Sequence, residues 1–203
     1  MFGIPKEKLK ILKALDDPKK IQLFLNSMPM NLEKSGDTCF SPMTVLDKKV
    51  CHCIEGATLA ALALRINGQP PLLLDLMASK TDFDHVVAVF KKYGKWGAIS
   101  KTNHVFLRYR EPVYSSIREL AMSYFHEYFD TTGRKSLRSF SAPINLKRFD
   151  HLDWMTTEEE IFYIPEYLAD VKHSPILNRK QIMYLQKADR MESRIGKMLE
   201  WEE

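Results

Sequence analysis

The sequence has little of what would place a protein outside a reducing, aqueous setting. Its three cysteines, Cys39, Cys51 and Cys53, are too few and too odd in number for a disulfide framework. No uninterrupted apolar run approaches the roughly 18 residues of a membrane span. The N-terminal MFGIPKEKLKILKALDD scatters lysines where a secretion signal would have a continuous apolar segment. These absences predict a cytoplasmic protein with no membrane partner. Blocks of like charge are missing too: 30 Lys and Arg are interleaved with 26 Asp and Glu, for a formal net charge of +4. Unclustered basicity of that size argues against nucleic acid as the partner. Internal repeats and low-complexity runs are also absent.

What is present is core-forming material. At 45% hydrophobic and 11% aromatic residues, the 203-residue chain can bury one full core, so a single domain over 1–203 is expected. Asp16-Asp17-Pro18 precedes Ile21, Phe24, Leu25 and Met28 at helical spacing, so two short helices should lead the chain. A third helix over about 52–66 places Ala57, Ala60, Ala61 and Leu64 on one face and stops at Asn67-Gly68. Leu59, Leu62, Ala63 and Ile66 cover its other side, which marks a central, buried helix.

The segments PLLLDLMAS (71–79), HVVAVFKK (85–92) and WGAIS (96–100) are short, rich in Leu, Val and Phe, and separated by turn residues. They read as neighbouring strands. Beyond Pro112 the pattern turns helical: YSSIRELAMSYFHEYF, then a capped start at Thr156-Thr157-Glu158-Glu159-Glu160 ahead of IFYIPEYL, then NRKQIMYLQKADRMESRIGKMLEW with Ile182, Leu185, Met191, Ile195 and Met198 as an apolar stripe on the domain surface. The expected fold class is α+β: a Cys-bearing central helix on a small antiparallel sheet, a core over about 38–110, and a helical part over about 112–203.

The thiol at the mouth of the buried helix raises a chemical possibility. A thiol attacks as thiolate, and a helix N-terminus with a nearby imidazole stabilises that anion. Cys53 falls in the first helical turn, and His85 opens a strand expected to pack near it. A free cysteine in an alanine-rich helix is otherwise a packing residue.

The order Cys53-Ile-Glu-Gly-Ala57, Gly68-Gln-Pro, His85-Val-Val-Ala-Val-Phe and Tyr93-Gly-Lys-Trp96 resembles the transglutaminase-like superfamily over about residues 45–103. Cys51 lacks the alanine four residues on, so the register favours Cys53. The resemblance implies a papain-like fold and a Cys-His-Asp triad, with the aspartate four residues after the tryptophan. Here that position is Ser100. Trp96, Ala98 and Ser100 share a strand face, so the Ser100 hydroxyl occupies the orienting site by parity, although it cannot stabilise an imidazolium as a carboxylate does. Asn103 is an alternative orienting group of equal rank, and Asp82 or Asp84 ranks lower. For the oxyanion, the Cys53 N–H is one natural donor; upstream only Asp47 and Lys48 stand where a second is expected.

Other patterns point to structure. Cys51-His52-Cys53 is too closely spaced for a structural zinc site or an unstrained redox pair, and no acidic cluster suits calcium; no metal or cofactor is implied. Arg108, Arg110 and Arg118 beside Tyr109 and Tyr114 are expected to pair with Glu111 and Glu119. Gly133–Arg138 reads as a solvated basic turn, and Tyr124, Phe125, Tyr128 and Phe129 as core. The leading functional expectation is acyl transfer or amide hydrolysis on a protein, peptide or small amide substrate, with Cys53 attacking, His85 carrying the proton, and Ser100 or Asn103 fixing the ring. The alternative is a catalytically inactive scaffold of the same fold acting as a binding module. A nucleic-acid-binding protein using the Arg-Tyr segment is the third possibility.

Overall fold

Asp17 accepts a hydrogen bond from the Lys19 N–H at 2.9 Å, and Pro18 takes the first helical position, the local signals that start a helix where the sequence predicts it. In the computed structural model, which describes residues 2–200, α1 (Lys6–Ala14) and α2 (Pro18–Asn26) lead into α3 (Pro42–Lys48), capped by Ser41. The central helix α4 runs Cys53–Ile66 and is buried from Ile54 to Leu64. The strands β1 (Leu72–Ala78), β2 (His85–Lys92) and β3 (Lys95–Ile99) follow as an antiparallel meander. Tyr93 and Gly94, at φ 53° and 75°, form the two-residue turn between β2 and β3; two successive positive φ values are the geometry in which glycine is favoured.

The molecule is α+β, but its sheet is larger than the sequence suggests. Seven strands pair in the order β4 (Arg110–Tyr114), β3, β2, β1, β5 (Leu137–Ser141), β7 (His173–Pro175), with β6 (Ile144–Asn145) also on β1. Both faces are covered. Leu73, Val86, Ala88, Phe90 and Ile99 join α1 to α4 in one core, together with Phe149, Trp154 and Ile164 from the C-terminal half. On the other face Leu74, Leu76, Val87, Val89 and Ala98 pack against Leu120, Tyr124 and Tyr128. A strand buried on both sides needs no polar alternation, which is why HVVAVF is apolar throughout.

The C-terminal half departs from the helical expectation in four places. Glu111–Tyr114 extend β4 on β3, and the helix that follows, α5, covers only Ile117–Met122. Its continuation breaks where Tyr124 and Tyr128 turn their hydroxyls to the Arg108, Leu76 and Phe83 carbonyls. β5 and β6 join the sheet through β1, some 60 residues or more away, such as Leu76 with Phe140, and β7 then pairs with β5, pairings no local period announces. The helix expected over IFYIPEYL forms, but without the Thr156–Glu160 cap: Ile161 N–H donates to the Cys39 carbonyl at 2.9 Å and Glu160 accepts from Cys39 N–H, so α6 begins at Tyr163 and ends at Asp170. The long final helix is two short ones, α7 (Arg179–Tyr184) and α8 (Arg190–Ile195), because Asp189 and Glu192 form a capping box that begins a new helix. Neither buries a residue, so the apolar stripe does lie on the surface. Among the described residues no helix is long and apolar enough to cross a membrane.

Candidate active site

Short local devices put Cys53 at a helix start. Lys49 ends α3 in the left-handed region at φ 56°. Cys51 is then held by its N–H to the Pro29 carbonyl at 3.3 Å and by its own carbonyl, which accepts from Asn31 N–H at 3.2 Å. His52 is extended and forms the N-cap, and its backbone N–H donates to the Glu55 carboxylate at 2.9 Å. Cys53 is therefore the first residue of a 14-residue helix, at the positive end of its dipole. Gly56, one turn on, admits Lys101: a Cβ there would stand 2.6 Å from the Lys101 Cβ.

Glu55 anchors the surrounding loop. Fully buried, it accepts from Thr38 Oγ1 at 2.9 Å, Phe40 N–H at 3.0 Å and Asn31 Nδ2 at 3.1 Å, besides His52 N–H. Those four donors stabilise a carboxylate that burial alone would penalise. The His52 ring lies over this network, with Nε2 2.9 Å from the Thr38 carbonyl and 3.5 Å from both a Glu55 and a Glu33 oxygen.

His85 is buried at the first position of β2. Ala88 pairs with Ile99 across the hairpin, a register that sets Ser100 one diagonal step from His85 on the same face. Nε2 of the ring lies 2.8 Å from the Ser100 hydroxyl. That hydroxyl also donates to the Leu107 carbonyl at 2.5 Å. With its only hydrogen used there, Ser100 accepts from His85, so Nε2 carries the proton and Nδ1 is the nitrogen free to face the sulfur. The Ser100 backbone is clamped in turn by Gln22 of α2, whose amide donates to its carbonyl at 2.8 Å and accepts from its N–H at 2.9 Å.

Cys53 is half-buried and pairs with both rings, His52 and His85. Burial opposes the thiolate, but the two imidazoles outweigh it and bring the Cys53 thiol down to about 5. The other two thiols behave oppositely. Burial, with nearby carboxylates adding to it, pushes Cys39 far up; burial likewise takes Cys51 up to about 12. Burial also opposes charge on His52, yet its bond to Cys53 and the Glu55 charge raise it to about 9.

The structure thus brings together Cys53, His85 and Ser100 and leaves out the other expected residues. Asn103 gives its backbone carbonyl to Glu200 N–H at 2.8 Å, and its side chain makes no bond to the His85 ring. Asp84 accepts from Ala78 N–H at 2.6 Å and Asp82 from Ser136 Oγ, so neither orients His85. Asp47 pairs with Lys8, and Lys48 lies over the Phe40 ring. The arginines are structural, with partners other than those expected. Arg110 binds Glu127 and stacks on Tyr124, Arg108 pairs with Glu200 at 3.0 Å, and Arg118 donates to the Pro175 and Ile176 carbonyls.

Two features carry no signal in the sequence. One is His52 itself, whose role depends on loop residues 33–38 folding over it. The other is a buried pair, His173 Nε2 and Asp75 Oδ2 at 2.9 Å, in which Asp75 Oδ1 has no partner. Burial raises the Asp75 carboxyl to about 6 against the opposing pull of His173, and the Cys53 charge adds to the rise. Beside His52 opens a groove of about 660 Å³, with Met30, Leu32, Glu33, Thr38, Phe40 and Lys48 among its walls. No protein-family model matches the chain, and no curated protein is significantly similar to it.

Proposed function

We propose that this protein is a cysteine-dependent acyl-transfer or amide-hydrolysing enzyme built on a transglutaminase-like, papain-type core. The single observation that carries the reading is a half-buried thiol at a helix N-terminus, its pKa lowered by the imidazoles beside it, one of which, His85, is fixed at its far nitrogen by Ser100. Neither packing nor metal binding needs that combination, whereas nucleophilic catalysis requires it. Cys53 Sγ attacks the carbonyl carbon and forms the C–S bond, with the carbonyl oxygen taking the negative charge next to the Cys53 N–H. His85 Nδ1, having taken the thiol proton, returns it to the leaving nitrogen as the C–N bond breaks. Water or an amine then attacks the thioester, gives a proton to His85, and releases the thiolate as the C–S bond breaks. The groove beside His52 suits one flank of a protein, peptide or small amide substrate.

A second reading, an inactive scaffold that binds partners, is favoured by one observation: the ring of His85 meets a hydroxyl where a carboxylate would stabilise its charged form. Rapid labelling of Cys53 by iodoacetamide at neutral pH, together with an acyl-enzyme detected by mass spectrometry after exposure to an activated ester and turned over by the wild type but not by His85→Ala, supports the enzyme. Labelling as slow as at Cys39, with no acyl-enzyme, leaves the scaffold.

A further inference from the structure

Two imidazoles face one sulfur, and the hydrogen-bond partners of each ring fix what each can do. This inference rests on the reading above and concerns the same site. His85 donates through Nε2 to Ser100, and its Nδ1 is left for the sulfur. His52 Nε2 faces the Thr38 carbonyl, an acceptor only, so it too donates, and Nδ1 is again the nitrogen left for the sulfur. A thiol has one hydrogen and can satisfy one of two waiting lone pairs; a thiolate can satisfy neither. At least one ring must therefore carry a second proton whenever both pair with Cys53.

The surroundings decide which. Around His52 stand the Glu55 and Glu33 carboxylates at 3.5 Å each, with Cys53 as the other titratable neighbour. The His85 far nitrogen meets only a neutral hydroxyl. The other titratable groups that interact with the sulfur are Cys39 from the segment before α3, Cys51 from the loop before α4, Asp75 from β1 and Tyr128 from the opposite face of the sheet. None of these is a cation, so the positive charge must sit on an imidazole, and the carboxylates place it on His52.

We propose that His52 is a positioning residue that stays doubly protonated through the reaction, supplying the fixed positive charge that holds Cys53 as thiolate while His85 alone moves protons. In this division the carboxylate missing behind His85 is replaced by Glu55 and Glu33 behind His52. Ser100 then needs only to aim the His85 ring, whose Nδ1 holds the thiol proton that passes to the leaving nitrogen, because the charge that never moves is on His52.

The test is the pH profile of Cys53 alkylation in the full-length protein, located by peptide mapping, beside ¹⁵N NMR of the histidine rings in the wild type. Wild-type alkylation should stay fast down to about pH 6. In His52→Asn it should fall at least about tenfold at pH 6 and recover toward pH 9, since each unit of thiol pKa is a factor of ten in thiolate below the midpoint. His85→Ala should lose acyl turnover while retaining more of the low-pH alkylation than His52→Asn. The wild-type His52 ring should show both nitrogens protonated at pH 7.5. An unchanged alkylation profile in His52→Asn, or a His52 ring carrying one proton at pH 7.5, overturns the proposal and leaves the enzymatic reading standing. Wild-type Cys53 alkylation no faster than an ordinary thiol at every pH defeats the enzymatic reading instead, and the NMR measurement on folded wild type still decides the charge of His52 should the variant fail to fold.

Discussion

The Ser100 hydroxyl accepts from His85 Nε2 and donates to the Leu107 carbonyl, so a neutral side chain fixes both the angle and the tautomer of the candidate base. Replacing Ser100 with Ala frees the ring. The loss is of the order of one hydrogen bond, about 1 kcal/mol, so acyl turnover should drop roughly fivefold while Cys53 alkylation at neutral pH changes little. Equal loss of both would mean that Ser100 sets the thiol's charge as well as the ring's aim.

Gln22 binds both backbone groups of Ser100 from a helix 78 residues away in sequence. Gln22→Ala leaves a buried N–H and a buried carbonyl without partners, each worth about 1–3 kcal/mol. Thermal unfolding should reveal a clear fall in Tm, roughly 2–4 °C per kcal/mol for a chain of this size, accompanied by reduced turnover. A stable variant with normal turnover would remove Gln22 from the account.

Only one of the three thiols should react readily in the native protein. Because alkylation needs the thiolate, its rate at Cys53 should rise through a midpoint near 5 and level off by neutral pH. Cys39 and Cys51, both buried and shifted upward, should label only on denaturation. Stoichiometric titration with a chromogenic disulfide, before and after adding guanidinium, counts them; two or three fast thiols would contradict the burial.

Asp75 gives a pH test of opposite sign. Its folded-state carboxyl is raised to about 6 from 3.8, so folding favours the protonated form, and the linked stability is present below pH 3.8 and lost as pH rises through 6. Asp75→Asn keeps the shape without the charge. Its Tm relative to wild type should therefore improve between pH 4.5 and 7.5, and a difference independent of pH would show that His173 neutralises the carboxylate fully.

Gly56 makes room for Lys101, whose ammonium is bound to the Leu25 and Met28 carbonyls. Alanine gains about 1 kcal/mol of helix propensity, but its Cβ at 2.6 Å from the Lys101 Cβ forces a shift in a side chain tethered at both ends, costing typically 1–3 kcal/mol and on occasion more. Gly56→Ala should be net destabilising in a denaturant titration. Restoration by Lys101→Gly in the double variant, which removes the Cβ that alanine would keep, would identify the clash as the cause.

The local pattern was informative where neighbours in sequence are neighbours in space. It located α4 from its apolar faces and Asn67-Gly68 stop, and β1 to β3 from their Leu, Val and Phe runs and the Tyr93-Gly94 turn, nearly to the residue. Strand parity likewise set Ser100 on the row that meets His85. It failed where pairing is long-range. The strand Leu137–Ser141 has no strong period and becomes a strand because β1 offers it an edge. The final helix splits because Asp189 and Glu192 cap one another, a device that outweighed the apolar stripe running across it.

By itself, the sequence determined the type and order of the central elements and which cysteine opens a helix, since those follow from side-chain periodicity and caps within a few residues. Only the tertiary structure decided that His52 lies between a thiol and two carboxylates, that Ser100 rather than Asn103 aims His85, and that Asp75 is buried with His173. Glu33 reaches His52 and His173 reaches Asp75 from segments remote along the chain, and the choice of Ser100 depends on how β3 pairs with β2. Charge and hydrogen-bond energies depend on distance and burial, and neither exists until the chain has folded.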